Sequence, residues 1–415
     1  MIIYCAVMSV IMIPFFIDGM DQKKMHNESI IDIIEVANVR ELAFLGNEQV
    51  IIRPRGKKPF VYDRSIKSNI DFIADDHNID ILPACIVTDH AKKRALVTCG
   101  HFPVETMVVY DSVIKKTIVY PDVCGDLRKI CRNSFDERKP NSILLLQKYP
   151  DPGCQGKIVS YDYINKQTHI ESFLSRAIEE SASRYCHHVL NASTGLRGIV
   201  TETADQFKMY TESISGNSQI LQYKKEIPGR VDQNFICSSD MSFIGYYSAD
   251  NACPHEESLH TEGRVCNICD ACYILNLKTG QNIRCQNEVG GVLPYAMNFH
   301  PNNKAMVTLS AINQWVEYWQ ADTGTLLAQQ KLPKNYAKKS SVDEVGTFKQ
   351  SLSFSKCGIF LAVAFANTSL ILKVPFEAIY SIDENKAIAI LWCVKNMTPL
   401  LPKDIQGLLI DRLKL

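Results

Sequence analysis

The sequence predicts an all-β fold assembled from repeated four-stranded antiparallel meanders. Three observations predict it. One segment divides cleanly into four short apolar pieces with turn residues between them. The same pattern recurs along most of the chain. Three of the third pieces also share one ending, Tyr-Asp, followed by a short polar turn and another apolar piece.

The clearest unit is LPYAMNFHPNNKAMVTLSAINQWVEYWQADTGTLLAQQ, residues 293–330. YAMNF, AMVTLS, WVEYW and TLLAQQ are the apolar pieces, and HPNNK, AINQ and QADTG separate them. Pro, Asn, Asp and Gly fall where turn geometry requires them. Pieces of about five residues with short connections make strands, not helices.

The other copies follow in chain order. ELAFLGNEQVIIRPRGKKPFVYDRSIKSNIDFI comes first, and ACIVTDHAKKRALVTCGHFPVETMVVYDSVIKKTIVY second. SILLLQKYPDPGCQGKIVSYDYINKQTHIESF and YCHHVLNASTGLRGIVTETADQFKMYTESISGNSQILQY are the least regular. FICSSDMSFIGYYSAD and CYILNLKTGQNIRCQ form one copy around a long interruption. LSFSKCGIFLAVAFANTSLILKV supplies only three strands. The shared endings are Val61-Tyr62-Asp63, Val109-Tyr110-Asp111 and Ser160-Tyr161-Asp162.

On these residues the chain resembles the degenerate WD-repeat-like β-propeller superfamily. The Tyr-Asp pairs stand where that family often has Trp-Asp, and NFHPNNKAMVT and YWQADTGTLLA look like its a–b and c–d turns. The resemblance implies a single propeller over residues 28–392. Seven copies fit between Val36 and Trp392, at about 51 residues each. A blade of this type usually takes about 40–45 residues, so the surplus falls in insertions. One sheet cannot cover both of its faces, whereas sheets stacked around a ring cover each other. ESIIDIIEV, residues 28–36, is apolar and precedes the first full copy. It is expected to add the outer strand that the last copy lacks.

Two terminal segments stand apart from the repeats. Residues 1–20 begin with MIIYCAVMSVIMIPFFI, apolar as far as Asp18 and interrupted by Pro14. No Lys or Arg precedes the run and no small-x-small cleavage site follows it. Three readings stay open: an atypical signal peptide, an uncleaved anchor and a buried N-terminal segment. Localisation stays open with them, export or membrane association being slightly favoured over the cytoplasm. In residues 398–415, Ile405, Leu408, Leu409 and Leu413 fall at helical spacing, which predicts a short C-terminal helix. Residues 401–413 are similar to the first helix of an F-box, and an apolar stripe of this kind also fits packing on the propeller.

Forty-five basic residues balance forty-five acidic ones. No long-range field draws the chain to nucleic acid or to an anionic membrane, so no nucleic-acid partner is expected. The one dense basic stretch, RPRGKKP from Arg53, reads as a solvated hairpin tip. Fifteen cysteines leave at least one unpaired, and Cys85, Cys99, Cys237, Cys357 and Cys393 lie in apolar, strand-like runs.

Cysteine is densest in CPHEESLHTEGRVCNICDAC, residues 253–272. Cys266 and Cys269 form a CxxC pair, and Cys253, His255, His260 and Cys272 lie near it. Zinc takes four thiolate or imidazole ligands in a tetrahedron, which makes Cys253, His260, Cys266 and Cys269 a speculative ligand set. A disulfide and a free-thiol loop remain alternatives, and Cys272 also reads as the start of the strand CYILNL. Cys186-His187-His188 reads as strand rather than catalytic machinery, because neighbouring strand residues point to opposite faces. No phosphate-binding glycine loop, HExxH or Gly-x-Ser-x-Gly occurs.

The function expected is that of a noncatalytic scaffold for a protein or peptide partner, built on a monomeric propeller. No cofactor is expected unless the cysteine run takes zinc, and a membrane partner is expected only if the N-terminal run is an anchor. The alternative is an enzyme of hydrolase or dehydrogenase type that uses the central channel.

Overall fold

The computed structural model describes the strands and shorter turns between residues 30 and 379. Residues 1–29 and 380–415 lie outside the described residues, as do the longer connections, such as 72–85, 226–234, 249–270 and 333–351. The 398–415 helix is therefore outside them. The chain divides into two compact units, residues 30–374 and the terminal segments 1–29 with 375–415. The second contains one described helical turn, Phe376–Ile379.

Residues 30–374 form seven four-stranded antiparallel sheets among the described residues. Six are uninterrupted meanders, here blades 1–6, with strands a to d in chain order. Their strands lie within residues 39–71, 86–121, 130–173, 186–224, 235–285 and 294–331. Blade 7 takes strands a to c from Leu352–Phe354, Phe360–Ala364 and Ser369–Lys373. Its fourth strand is Ile30–Ile34, paired antiparallel with Ser369–Lys373 through Ile33↔Leu370 and Ile34↔Ser369. The segment before the first copy thus completes the last sheet. The first strands of successive blades are neighbours all the way round, and those of blades 7 and 1 close the ring.

The core lies between blades rather than within them. Ala43, Ile51 and Val61 of blade 1 pack against Ile86, Val108 and Tyr110 of blade 2. Val200, Phe207 and Met209 of blade 4 meet Phe235, Tyr246 and Tyr273 of blade 5. Strand alternation explains how one strand serves two seams. In Ala271–Asn276, Tyr273 and Leu275 face blade 4, while Cys272 and Ile274 join Met297, Phe299 and Trp319 of blade 6.

The Tyr-Asp ending has a division of labour. Tyr62, Tyr110 and Tyr161 are buried. The aspartates fold the c–d turn, because a short side-chain acceptor can bond the backbone two residues on. Asp63 Oδ1 accepts from Ser65 N at 3.0 Å, Asp111 Oδ1 from Val113 N at 2.9 Å and Asp162 Oδ1 from Ile164 N at 3.0 Å. The Asn165 N–H, with further bonds from its side chain and from Ile164 N, holds the Asp162 carboxyl below its usual range. Trp319-Gln320 takes the same place in blade 6, where the Trp319 indole donates to Thr308 Oγ1 at 2.9 Å.

Two expectations change. Arg53 is not part of a solvated tip. It is buried and pairs with Glu41 at 2.7 Å, while Glu41 Oε1 accepts from Ile86 N of blade 2 at 2.9 Å. Among the described residues of that stretch, Lys57 and Lys58 are exposed. Cys357 lies in the a–b turn of blade 7, where its N–H donates to Asn47 Oδ1 at 2.9 Å.

At the blade 6–7 seam, Gly358 has φ +75° and its carbonyl faces His300 Nε2 at 3.1 Å. A Cβ on Gly358 would meet that nitrogen at 2.3 Å. Gly358→Ala combines a left-handed backbone cost of about 1 kcal/mol with an overpacking cost of about 1–3 kcal/mol. Chemical denaturation of this variant is expected to show a loss of about 2–4 kcal/mol, against about 1–2 kcal/mol for Gly46→Ser, which shares the left-handed backbone at φ +70° but whose Cβ would meet nothing within 4 Å.

Candidate functional site

Each blade is a meander whose first strand lines the ring, so a–b and c–d turns open to one face and b–c connections to the other. The a–b turns form a hydrogen-bonded belt. Asn303 Oδ1 accepts from Ser239 N at 3.0 Å, joining blades 6 and 5. Asn141 Oδ1 accepts from Arg94 Nη1 at 3.1 Å, joining blades 3 and 2, and Lys356 N donates to Gly46 O at 2.9 Å, joining blades 7 and 1.

His300 is buried in this belt, with its ring edge-on to Phe354 of blade 7. Its Nδ1 lies 2.7 Å from Asn302 Oδ1 and 3.2 Å from Asn302 N, and its Nε2 faces the Gly358 carbonyl. Burial lowers its pKa from the ordinary 6.5, an effect only partly offset by the Asn302 and Gly358 bonds.

The blade 7–1 seam carries a cleft of about 580 Å³ lined by residues 31–34 of the closing strand and Glu35 after it, together with Tyr62 and residues 67–69 of blade 1. Asp32 lies there, buried, with Arg64 Nε at 3.3 Å and Lys67 Nζ at 3.7 Å. Arg64 also donates to Asn47 O at 3.1 Å and lies 3.8 Å over the Phe360 ring of blade 7. One guanidinium therefore ties together the closing strand, a blade 1 turn and blade 7. The cleft is a structural seam occupied by its own ion pair.

Strands b and c of blade 5 meet at the Ser248↔Ala271 pair on the opposite face, and residues 249–270 between them lie outside the described residues. Cys253, His260, Cys266 and Cys269 lie outside the described residues, as does His255. Cys272 is described and is a strand residue, fully buried beside Met297, with its Sγ 3.5 Å from the Met297 Sδ. It pairs across the sheet with Cys285. Burial, then hydrogen bonding with Cys272 and the nearby charges of Cys272 and Glu317, push the Cys285 thiol well up. Cys272, Cys285, Cys237 and Cys357 are free thiols. Among the described residues no three His, Cys, Asp or Glu side chains converge as a metal site, and no helix is long and apolar enough to cross a membrane. Cys186-His187-His188 forms the start of strand a in blade 4.

Exposed apolar residues mark an arc that the sequence did not reveal. At the c–d turns, Ile66 of blade 1 is 56% exposed, Val113 of blade 2 is 69% and Ile164 of blade 3 is 53%. Ile118, Ile170 and Leu221 continue it on the outer strands of blades 2, 3 and 4. The corresponding turns of blades 5 and 6 present Lys278 and Asp322 instead, with Leu277 and Ala321 buried.

No protein-family model and no curated protein sequence matches the chain. Solved structures do. A chain of the crystal structure of the mitotic checkpoint complex is 10% identical over 86% of this chain and 95% of its own, with a TM-score of 0.53. Hydrazine synthase of Kuenenia stuttgartiensis is 13% identical over 86% of this chain and 99% of its own, with a TM-score of 0.52. The Cps50 (Swd1) β-propeller domain of Myceliophteria thermophila is 12% identical over 84% and 99%, with a TM-score of 0.51. The chain has the β-propeller fold. At these identities the likeness concerns the propeller architecture alone.

Two predictions follow from the seams of this propeller. Arg64→Ala removes the main partner of a buried carboxylate, and stability is expected to fall by about 3 kcal/mol, read by denaturant titration. Neutral His300 in the fold, against an ordinary pKa of 6.5 when unfolded, means that the unfolded chain binds more protons below that pH. Its contribution is full above about pH 6.5 and is lost as pH falls toward the lower folded value. The melting temperature is expected to drop more between pH 7 and pH 5.5 in the parent than in His300→Gln.

Proposed function

We propose that the propeller is a noncatalytic scaffold that holds a protein partner through the arc of blades 1–3. The observation that supports this reading most directly is the trio Ile66, Val113 and Ile164, large aliphatic residues exposed at equivalent turns of three consecutive blades. A single exposed aliphatic residue is ordinary, whereas repetition on one face gives a partner several apolar anchors. The turns that carry them are fixed by Asp63, Asp111 and Asp162, so little order is lost on binding. Among the structural neighbours, one is a chain of the mitotic checkpoint complex, and hydrazine synthase is an enzyme. The partner surface is expected to be apolar at its centre.

The test uses the triple variant Ile66→Asp, Val113→Asp, Ile164→Asp. Surface substitutions of this kind change stability by about 0.5 kcal/mol or less each, so the fold survives. Parent and variant are immobilised, and the proteins retained from a native extract are quantified. At least a tenfold selective loss of one retained protein is expected, with Lys278→Asp on the blade 5 turn as a control outside the arc. An unchanged profile would sink the reading.

A further inference from the structure

The blade 5–6 seam contains three sulfur atoms whose placement no part of the scaffold reading uses. Cys272 and Cys285 are opposite each other on strands c and d of blade 5, so both side chains lie on one sheet face. That face packs on blade 6, and Met297 of its first strand brings a thioether Sδ to 3.5 Å from Cys272 Sγ. We propose that Cys272, Cys285 and Met297 form a binding site for one monovalent soft metal ion, Cu(I) by chemical class, that staples blade 5 to blade 6.

The geometry favours an ion over a disulfide. Asn276 N donates to Gln281 O at 2.9 Å and Gly280 N to Asn276 O at 2.8 Å, which sets the phase of the hairpin. Counting back along the register by alternation, Cys272 and Cys285 are a hydrogen-bonded pair. Such pairs stand roughly 5.5 Å apart at Cα, with Cβ atoms at the far end of the cross-strand range. A disulfide wants its Cβ atoms at roughly 3.5–4.5 Å. Two sulfurs sharing one ion through bonds of roughly 2.3 Å stand roughly 3.8–4.0 Å apart, a few tenths of an ångström beyond the Cys272–Met297 separation.

The ligand set selects the metal. Thiolate and thioether donors favour soft ions such as Cu(I) and are poor ligands for hard cations. Zinc would need a fourth ligand, and the described residues supply no third His, Cys, Asp or Glu at this place. On binding, each Sγ–H bond breaks, its electron pair forms the sulfur–metal bond, and two protons leave to solvent with no change in oxidation state. Glu317 of blade 6 opposes bare thiolates here, and its carboxylate is held by Gln329 Nε2 at 3.0 Å. A cation between the sulfurs removes that opposition. Because both sulfurs must lose a proton to hold the ion, binding is expected to weaken as pH falls.

The experiment uses the full chain, reduced and oxygen-free, in a background carrying Cys253→Ser, Cys266→Ser and Cys269→Ser. Ag(I), a redox-inert probe of the same class, is titrated against a competing thiol ligand. One tight equivalent is expected with an ultraviolet thiolate-to-metal band, release of two protons and a rise in melting temperature. Cys285→Ala is expected to lose that equivalent, and Met297→Leu to weaken it about tenfold or more while keeping its volume and the fold. Unchanged tight binding in both variants overturns the site. So does mass spectrometric recovery of a Cys272–Cys285 disulfide from the protein as folded, with no tight equivalent after reduction. If Cys285→Ala does not fold, Met297→Leu alone decides.

Discussion

A ring of sheets has no natural end, and its last blade must obtain one strand from the other side of the chain. Here Ile30–Ile34 fills that place by pairing with Ser369–Lys373. Every other seam depends on it, because the buried residues lie between blades and each blade is covered only while both neighbours are held. The closing strand is short and, by itself, a weak pairing element. It is secured by Asp32, whose buried carboxylate holds Arg64 against Phe360 of blade 7. Ser353 Oγ accepting from Phe44 N at 2.9 Å, and the Lys356–Gly46 bond, fasten the same seam. Apolar contact supplies most of the cohesion, and these directional groups fix the register in which it closes.

The seams are not equivalent, and the differences place chemistry. Blades 6 and 7 meet through a buried neutral histidine and a glycine that leaves room for it. Blades 1 and 2 meet through the Arg53–Glu41 pair, with Glu41 reaching the first strand of blade 2. Blades 5 and 6 meet through Cys272, Met297 and Trp319. On the proposed reading, position divides the work: rigid seams hold the ring, and exposed turns outside them meet the partner. The tips of blades 2 and 3 are of the second kind on the proposed reading, while the blade 1 tip, Ile66, stands between Arg64 and Lys67 of the closing seam.

Much of the architecture was legible because strands and turns are local events. HPNNK and QADTG state their turns outright, and the apolar ESIIDIIEV stood where a closing strand was needed. Blade 3 shows the limit. Its first strand, Ile130–Phe135, reads ICRNSF, and three consecutive polar residues hide its alternation. Arg53 looked like part of a basic tip because its partner lies twelve residues earlier on a neighbouring strand. Cys272 read both as the end of a cysteine run and as the start of a strand, and its sulfur neighbours stayed hidden because Cys285 and Met297 reach it through sheet register and blade packing. The aliphatic tips were invisible for a related reason: Ile66, Val113 and Ile164 become a set only when the blades are placed side by side.

Native-state hydrogen exchange of the Ile30–Ile34 amides tests ring closure most directly. If the closing strand secures the whole ring, these amides exchange only by global unfolding, with the same free energy and denaturant dependence as the Leu361–Val363 amides of blade 7. Exchange of Ile30–Ile34 through a local opening of much lower free energy, with blade 7 still protected, would contradict the account.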